Sequence, residues 1–220
     1  MRAKELIVED IPAIPPSFLA AQALDLMDEY KLTHLPVVEN NVYLGMVSED
    51  GLLDAEDPTG TLEPLRNQLN PNGVSPEDHV FEVIRALSNH QLSAVPVITQ
   101  KRQYLGTTTV QRLMQVIAEM PVVEGPGGIL ILELNVNDYS LSEIARLVEN
   151  NDAKILGSFI TRSPDSTKME LTLKINRPDL QAIQKTFERF DYTITDAFDQ
   201  SDAFEDLKSR YDLLMNYLNM

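Results

Sequence analysis

The 220-residue chain contains no cysteine and no tryptophan. Without thiols it can have no disulfide framework, no thiolate nucleophile and no Cys-ligated zinc. Basic residues are scarce, with 18 Lys and Arg against 34 Asp and Glu, a net charge of −16. The deficit runs through both halves: residues 1–128 carry 8 basic and 18 acidic residues, and residues 129–220 carry 10 and 16. Neither half offers the basic footprint that a nucleic-acid backbone needs, so a nucleic-acid partner is not expected. No apolar run approaches the ~20 residues of a membrane helix. The opening MRAKELIVEDIP mixes charges among its apolar residues and lacks a signal-peptide core. The expected compartment is the cytoplasm, with no membrane partner. Three histidines without i, i+4 spacing give no metal motif, and P-loop, HExxH, GxSxG and dinucleotide fingerprints are all missing. The reading is therefore not an enzyme, with no required cofactor. At 43% apolar, the chain is long enough for two domains with cores.

What is present is a repeat. KLTHLPVVENNVYLGMVSED (31–50) returns sixty residues later as QLSAVPVITQKRQYLGTTTVQ (91–111). Leu32, Leu35, Pro36 and Val37 return as Leu92, Val95, Pro96 and Val97, and Tyr43-Leu44-Gly45 as Tyr104-Leu105-Gly106. Ahead of each run lies one apolar helix face at i, i+3, i+4, i+7: Ala20, Ala23, Leu24, Met27, then Val80, Val83, Ile84, Leu87. A first helix is expected over 17–30, with strands near 35–38 and 43–47 joined by the turn Glu39-Asn40-Asn41. A short helix follows at Leu52-Leu53, and Asp54 to Gly60 is a polar connector. The acids Glu49, Asp50, Asp54, Glu56 and Asp57 read as solvated rather than as a Mg²⁺ site. In the second repeat, Ser75-Pro76-Glu77-Asp78 reads as a helix start with Ser75 as cap. Strands are expected at 95–98 and 104–108 and a closing helix over 110–120.

Gly125-Pro126-Gly127-Gly128 contains proline and opens a strand rather than a helix, so it reads as a linker and not a phosphate loop. Beyond it, Leu130, Leu132, Leu134 and Val136 alternate, and so do Met169, Leu171, Leu173 and Ile175. Leu141, Ile144, Ala145 and Val148 form one helix face, and Leu180, Ile183, Phe187 and Phe190 another. With strands over 154–161 and 192–195 the order is β-α-β-β-α-β, the ferredoxin-like plan. Phe204, Leu207, Tyr211, Leu214, Met215 and Leu218 line one face of a C-terminal helix.

The repeat of helix, apolar-Pro-Val strand, turn and Gly-ending strand resembles a tandem pair of CBS domains, regulatory modules that commonly bind adenine nucleotides. The second half resembles an ACT domain. Together they are similar to the acetoin-utilisation class of CBS–ACT regulatory proteins. The expected fold is α+β: CBS repeats over 1–60 and 61–122, a linker at 123–128, a ferredoxin-like ACT-like domain over 129–197 and an amphipathic helix over 198–220.

The resemblance implies site residues. A Ser or Thr after the strand-ending Gly meets phosphate or ribose, and an Asp three further on accepts the ribose hydroxyls. Gly45 and Ser48, and Gly106 and Thr109, fill the first two roles. Gly51 and Arg112 stand where the Asp belongs, with Asp50 one place early. Arg112 could meet a phosphate, with Lys101 and Arg102 nearby in sequence. Ser48 and Thr109 could equally cap the helices that follow. His34, Pro36, Ala94 and Pro96 complete the candidate cleft; His79 and His90 are expected at the surface. The candidate ligands are AMP, ADP, ATP or S-adenosylmethionine. The ACT-type ligand turn falls at Asn137, Asp138 and Tyr139, where Asp138 and Tyr139 replace the usual Pro-Gly and Asn137 and Asp138 could simply start the helix. Family behaviour implies a homodimer. Two functions remain open: a metabolite sensor that relays binding by rearrangement, or a ligand-free scaffold.

Overall fold

The computed structural model describes residues 1–55, 57, 59–162 and 167–199. The expected C-terminal helix with its stripe from Phe204 to Leu218 lies outside the described residues, as do Glu56 and Pro58. The chain divides into two compact units, 1–117 and 118–220.

The first unit holds two copies of one plan. In the first copy α1 (Ala20–Tyr30) leads to β1 (His34–Glu39), β2 (Val42–Ser48) and α2 (Glu49–Leu53). In the second, α3 (Val80–Asn89) leads to β3 (Ala94–Ile98), β4 (Tyr104–Thr109) and α4 (Val110–Ala118). Each strand pair is an antiparallel hairpin. The first turns on Asn40 and Asn41, both at positive φ, where asparagine is better tolerated than most residues. Helix α1 starts later than expected because Pro15-Pro16 and Ser17 form a turn before it. Helix α3 also starts late. Asp78 accepts a hydrogen bond from the Ser75 amide at 2.8 Å, closing a turn, and the helix begins after His79, whose Nδ1 accepts from the Phe81 amide. His90 is exposed at the helix's other end.

The copies are tied by exchanged lead-ins. Residues 2–8 precede the first repeat yet belong to the second: Ala3 and Leu6 are fully buried in its core, and Val8 bridges Thr107 of β4. Residues 62–70 open the second repeat in sequence, yet Leu62 and Leu65 lie in the first repeat's core and Asn70 bridges Met46 of β2. The chain then returns to its own hairpin, Ile14 beside Val37 and Val74 beside Val97. There the proline carbonyls accept: Ile14 donates to Pro36 and Val74 to Pro96, at 3.0 and 2.9 Å.

Glycine makes the exchange possible. A Cβ on Gly45 would lie 2.5 Å from the Cβ of Leu69, and one on Gly106, at φ +151°, 2.4 Å from the Ile7 side chain. Tyr43, fully buried, donates its hydroxyl to the Asn70 and Asn72 carbonyls, and burial pushes its pKa well up. Arg102 lies over the Tyr43 ring and donates to the Tyr43 and Leu44 carbonyls at 3.0 Å, so it serves this joint between repeats.

The second unit is ferredoxin-like, as expected. Strand β5 (Ile129–Asn135), α6 (Leu141–Glu149), β6 (Ile155–Arg162), β7 (Lys168–Ile175), α7 (Gln181–Arg189) and β8 (Thr193–Phe198) build one antiparallel sheet in the order β6-β7-β5-β8. Its core takes Leu130, Leu132 and Leu134 from β5, the expected alternating residues of β7, and Ile144, Leu147 and Val148 from α6. Leu147 takes the place expected for Leu141, which is 44% exposed, and Phe190 is likewise exposed beyond α7. On β7, Thr172 and Lys174 are also buried, because the strand is internal and the Lys174 ammonium donates to the Gly127 carbonyl at 2.7 Å. Gly127 and Gly128 are buried, and the Gly128 backbone pairs with Ile175 and Arg177. A short helix, α5 (Pro121–Glu124), precedes them.

Gly45→Ala and Gly106→Ala should each destabilise the first unit by about 1–3 kcal/mol, the range for a forced insertion into a packed contact. Urea denaturation measures this; midpoints within error of wild type would contradict the account of the joint.

Candidate functional site

The repeat creates two equivalent clefts, each between an exchanged lead-in and the helix after the second strand. In both, the hydroxyl at the strand end caps that helix. Ser48 Oγ accepts from the Gly51 amide at 3.1 Å, and Thr109 Oγ1 from the Arg112 amide at 3.0 Å. Each hydroxyl keeps its own proton to donate.

The clefts differ in size. The second is a cavity of about 380 Å³ lined by Ile7, Val8, Thr109, Gln111, Arg112 and Gln115. Among the described residues Arg112 is its one charged lining residue, and it makes no ion pair there. An unpaired, half-buried guanidinium with a hydroxyl and two amides can hold an anion by charge-assisted hydrogen bonds, and Ile7 and Val8 offer an apolar wall. The first cleft is about 60 Å³, lined by Val47, Ser48, Gly51, Leu65, Gln68 and Leu69.

The structure thus brings Thr109 and Arg112 together with four residues that sequence reading missed: Ile7, Val8, Gln111 and Gln115. Gln115 stands one helical turn after Arg112, a signal the spacing held; Ile7 and Val8 come from a segment with no local signal. Lys101 is exposed, and Arg102 is held by Tyr43, so neither appears beside Arg112. Gly45 and Gly106 face the lead-ins rather than a cavity. Pro36 and Pro96 are buried, and their carbonyls are spent on the lead-in strands. Ala94 is fully buried in the first repeat's core, beside Ser93, whose hydroxyl accepts from the Thr33 amide of the other repeat.

His34 pairs across the hairpin with Ser48, and its Nδ1 lies 3.0 Å from Thr33 Oγ1. Burial lowers its pKa from the usual 6.5, and the Asp50 carboxylate only partly opposes this. Among the described residues no group of His, Asp and Glu is arranged to hold a metal. In the connector, Asp57 is occupied with the Thr59 amide and hydroxyl, which lower its pKa.

Residues 3–57 and 69–119 each match the family model of the CBS domain. The first unit is a CBS domain pair. Inosine-5'-monophosphate dehydrogenase of Korarchaeum cryptofilum is 23% identical over 110 residues, half of this chain and 23% of that enzyme. The chain therefore spans about a quarter of the curated relative it matches. Among solved structures, a CBS domain pair/ACT domain protein of Thermotoga maritima is 21% identical with a TM-score of 0.47, covering 54% of this chain and 98% of that one. CBSX2, solved in complex with AMP, is 19% identical with a TM-score of 0.44, covering 54% and 96%.

In the ACT-like unit the candidate ligand turn is a 3-10 turn, Val136–Asp138, and the cap of α6 is Ser140, not Asn137 or Asp138. Asn137 is exposed, Tyr139 packs on the core, and Asp138 accepts from the Asn135 side chain at 2.8 Å. The cavity beside the turn, about 340 Å³, takes only Asp138 of the three and adds Glu133, Glu143 and Asp191, with Lys168 the single cation among its described lining residues. Lys168 is already paired with Glu133. Such a lining repels the carboxylate of an amino-acid ligand. Within it, burial and the nearby Glu143 raise the Tyr192 pKa.

His34 sets a pH dependence. Its folded pKa is lowered, so the unfolded chain takes the proton first as pH falls; the stability from neutral His34 is complete above pH 6.5 and lost below it. Urea midpoints at about pH 7.5 and about pH 5.5 should drop less for His34→Gln than for wild type. Equal drops would contradict this environment.

Proposed function

We propose that the chain is a regulatory protein whose CBS pair senses an adenine nucleotide in the second cleft and relays occupancy by rearranging its domains or subunits. The observation that carries this reading is the cavity of about 380 Å³ with Arg112, which has no ion pair among the described residues, beside the Thr109 hydroxyl. Arg112 replaces the ribose-reading Asp of the family pattern, so recognition moves from the sugar to the phosphate. A charge-assisted hydrogen bond contributes ~1.5–3 kcal/mol, enough to offset a similar loss at the ribose. A ligand with equal affinity for both arrangements would shift nothing, so the phosphate must be held better in one of them.

A scaffold reading has its own support. Both hydroxyls already cap helices, and both glycines are needed for the lead-in contacts. The family features then persist for architecture alone. Under either reading the chain acts as a homodimer, supported by large apolar side chains exposed on the helices of the CBS unit: Leu53 on α2, Phe81 on α3 and Met114 on α4, each more than half exposed. Sedimentation should give twice the chain mass, and Phe81→Glu with Met114→Glu should shift it toward monomer; a monomeric wild type removes this part.

Thermal shift separates sensor from scaffold. AMP, ADP, ATP or S-adenosylmethionine at a hundred times its dissociation constant adds ~2.7 kcal/mol, a shift of roughly 5–10 °C. Arg112→Ala should abolish it. A flat panel at millimolar ligand would favour the scaffold.

A further inference from the structure

The two clefts come from the same plan, but among the described residues only the second is lined by a charged side chain. The helix positions that follow Ser48 are Asp50, Gly51 and Asp54; their equivalents after Thr109 are Gln111, Arg112 and Gln115. All three of the second set line their cleft and carry one positive charge, whereas of the first set only Gly51 lines its cleft. Shape differs in the same sense. The 3-10 turn in the lead-in above the first cleft runs six residues, Glu63–Gln68, and puts Leu65 and Gln68 into the cleft. The matching turn above the second cleft is four residues, Ala3–Leu6, with Ala3 and Leu6 withdrawn into the core. The space remaining is about 60 Å³ against about 380 Å³. Beyond Leu65 and Gln68 a broader cavity of about 680 Å³ opens, but Asp54 and Asp57 line it and, among the described residues, no cation does.

We infer that the CBS pair takes one phosphate-bearing ligand per chain, in the second cleft, and that the first cleft, filled by Leu65 and Gln68 and with no cation among its described lining residues, refuses it. The pair therefore works as an asymmetric, single-site module despite its internal symmetry. The ligand's phosphate meets Arg112 and Thr109 while its less polar body lies along Ile7 and Val8. Because Ile7 and Val8 belong to the lead-in, an occupied cleft joins the start of the chain to α4.

This rests on the sensing reading above, and calorimetry with AMP and with ATP on the full chain tests the two separately. One ligand per chain is expected. Gln115→Glu, which adds a carboxylate to the second cleft, should weaken binding about tenfold or more. Gln68→Glu, the same exposed change at the first cleft, should leave affinity within about twofold. Salt should weaken wild-type binding more steeply than binding to Arg112→Gln, which removes the charge. Two ligands per chain, or equal losses from Gln68→Glu and Gln115→Glu, would overturn single occupancy while leaving sensing intact. No binding of either nucleotide at millimolar concentration would remove both.

Discussion

The structure of the CBS pair depends on the close approach of each lead-in to a strand glycine. Gly45 and Gly106 let the lead-in of the other repeat cross a strand at a distance that no side chain would permit. Once the lead-ins are in place, the rest is determined. Their bridges to Met46 and Thr107 widen each hairpin into a sheet, and their apolar residues complete the opposite core. Tyr43 and Arg102 then bind the joint with side-chain hydrogen bonds to backbone carbonyls. Buried polar groups are tolerated there because nearly every one is paired. Among the described residues the exception is the Thr108 hydroxyl, fully buried and without a partner, where the first repeat has Val47.

The same lead-ins roof the clefts, so a small change in a lead-in decides what a cleft can hold. Fold and site are in this sense one problem. A turn two residues longer fills one cleft, and a glycine-to-arginine difference in the following helix arms the other. The cap hydrogen bonds of Ser48 and Thr109 are common to both clefts, so they explain the helices and not the difference.

Much of the architecture was legible because it is periodic. The sixty-residue echo, the alternation in β5 and β7 and the Asn40-Asn41 turn all follow from local pattern, and the CBS pair and ferredoxin-like sheet follow from them. What local pattern missed was tertiary. Ser75-Pro76 has the composition of a helix start, but the Pro76 and Asp78 carbonyls accept from Lys4 and Ala3 of the other lead-in. Lys174 looks like the outward residue of a half-buried strand, yet a carbonyl from the glycine segment receives it. The site was half legible: Thr109 and Arg112 came from the repeat, whereas Ile7 and Val8 reach the cleft only through pairing across a hundred residues.

The exchanged lead-ins also bear on how such a unit can be divided. A single repeat cut from the chain would keep a lead-in meant for its neighbour and lack the one its own sheet requires, leaving an open edge. Cut instead within the connector between residues 54 and 60, the chain would yield two pieces, each carrying what the other lacks. The pair is thus a complementing system, in which either half is the template for its counterpart, and its folding must wait for contacts distant in sequence.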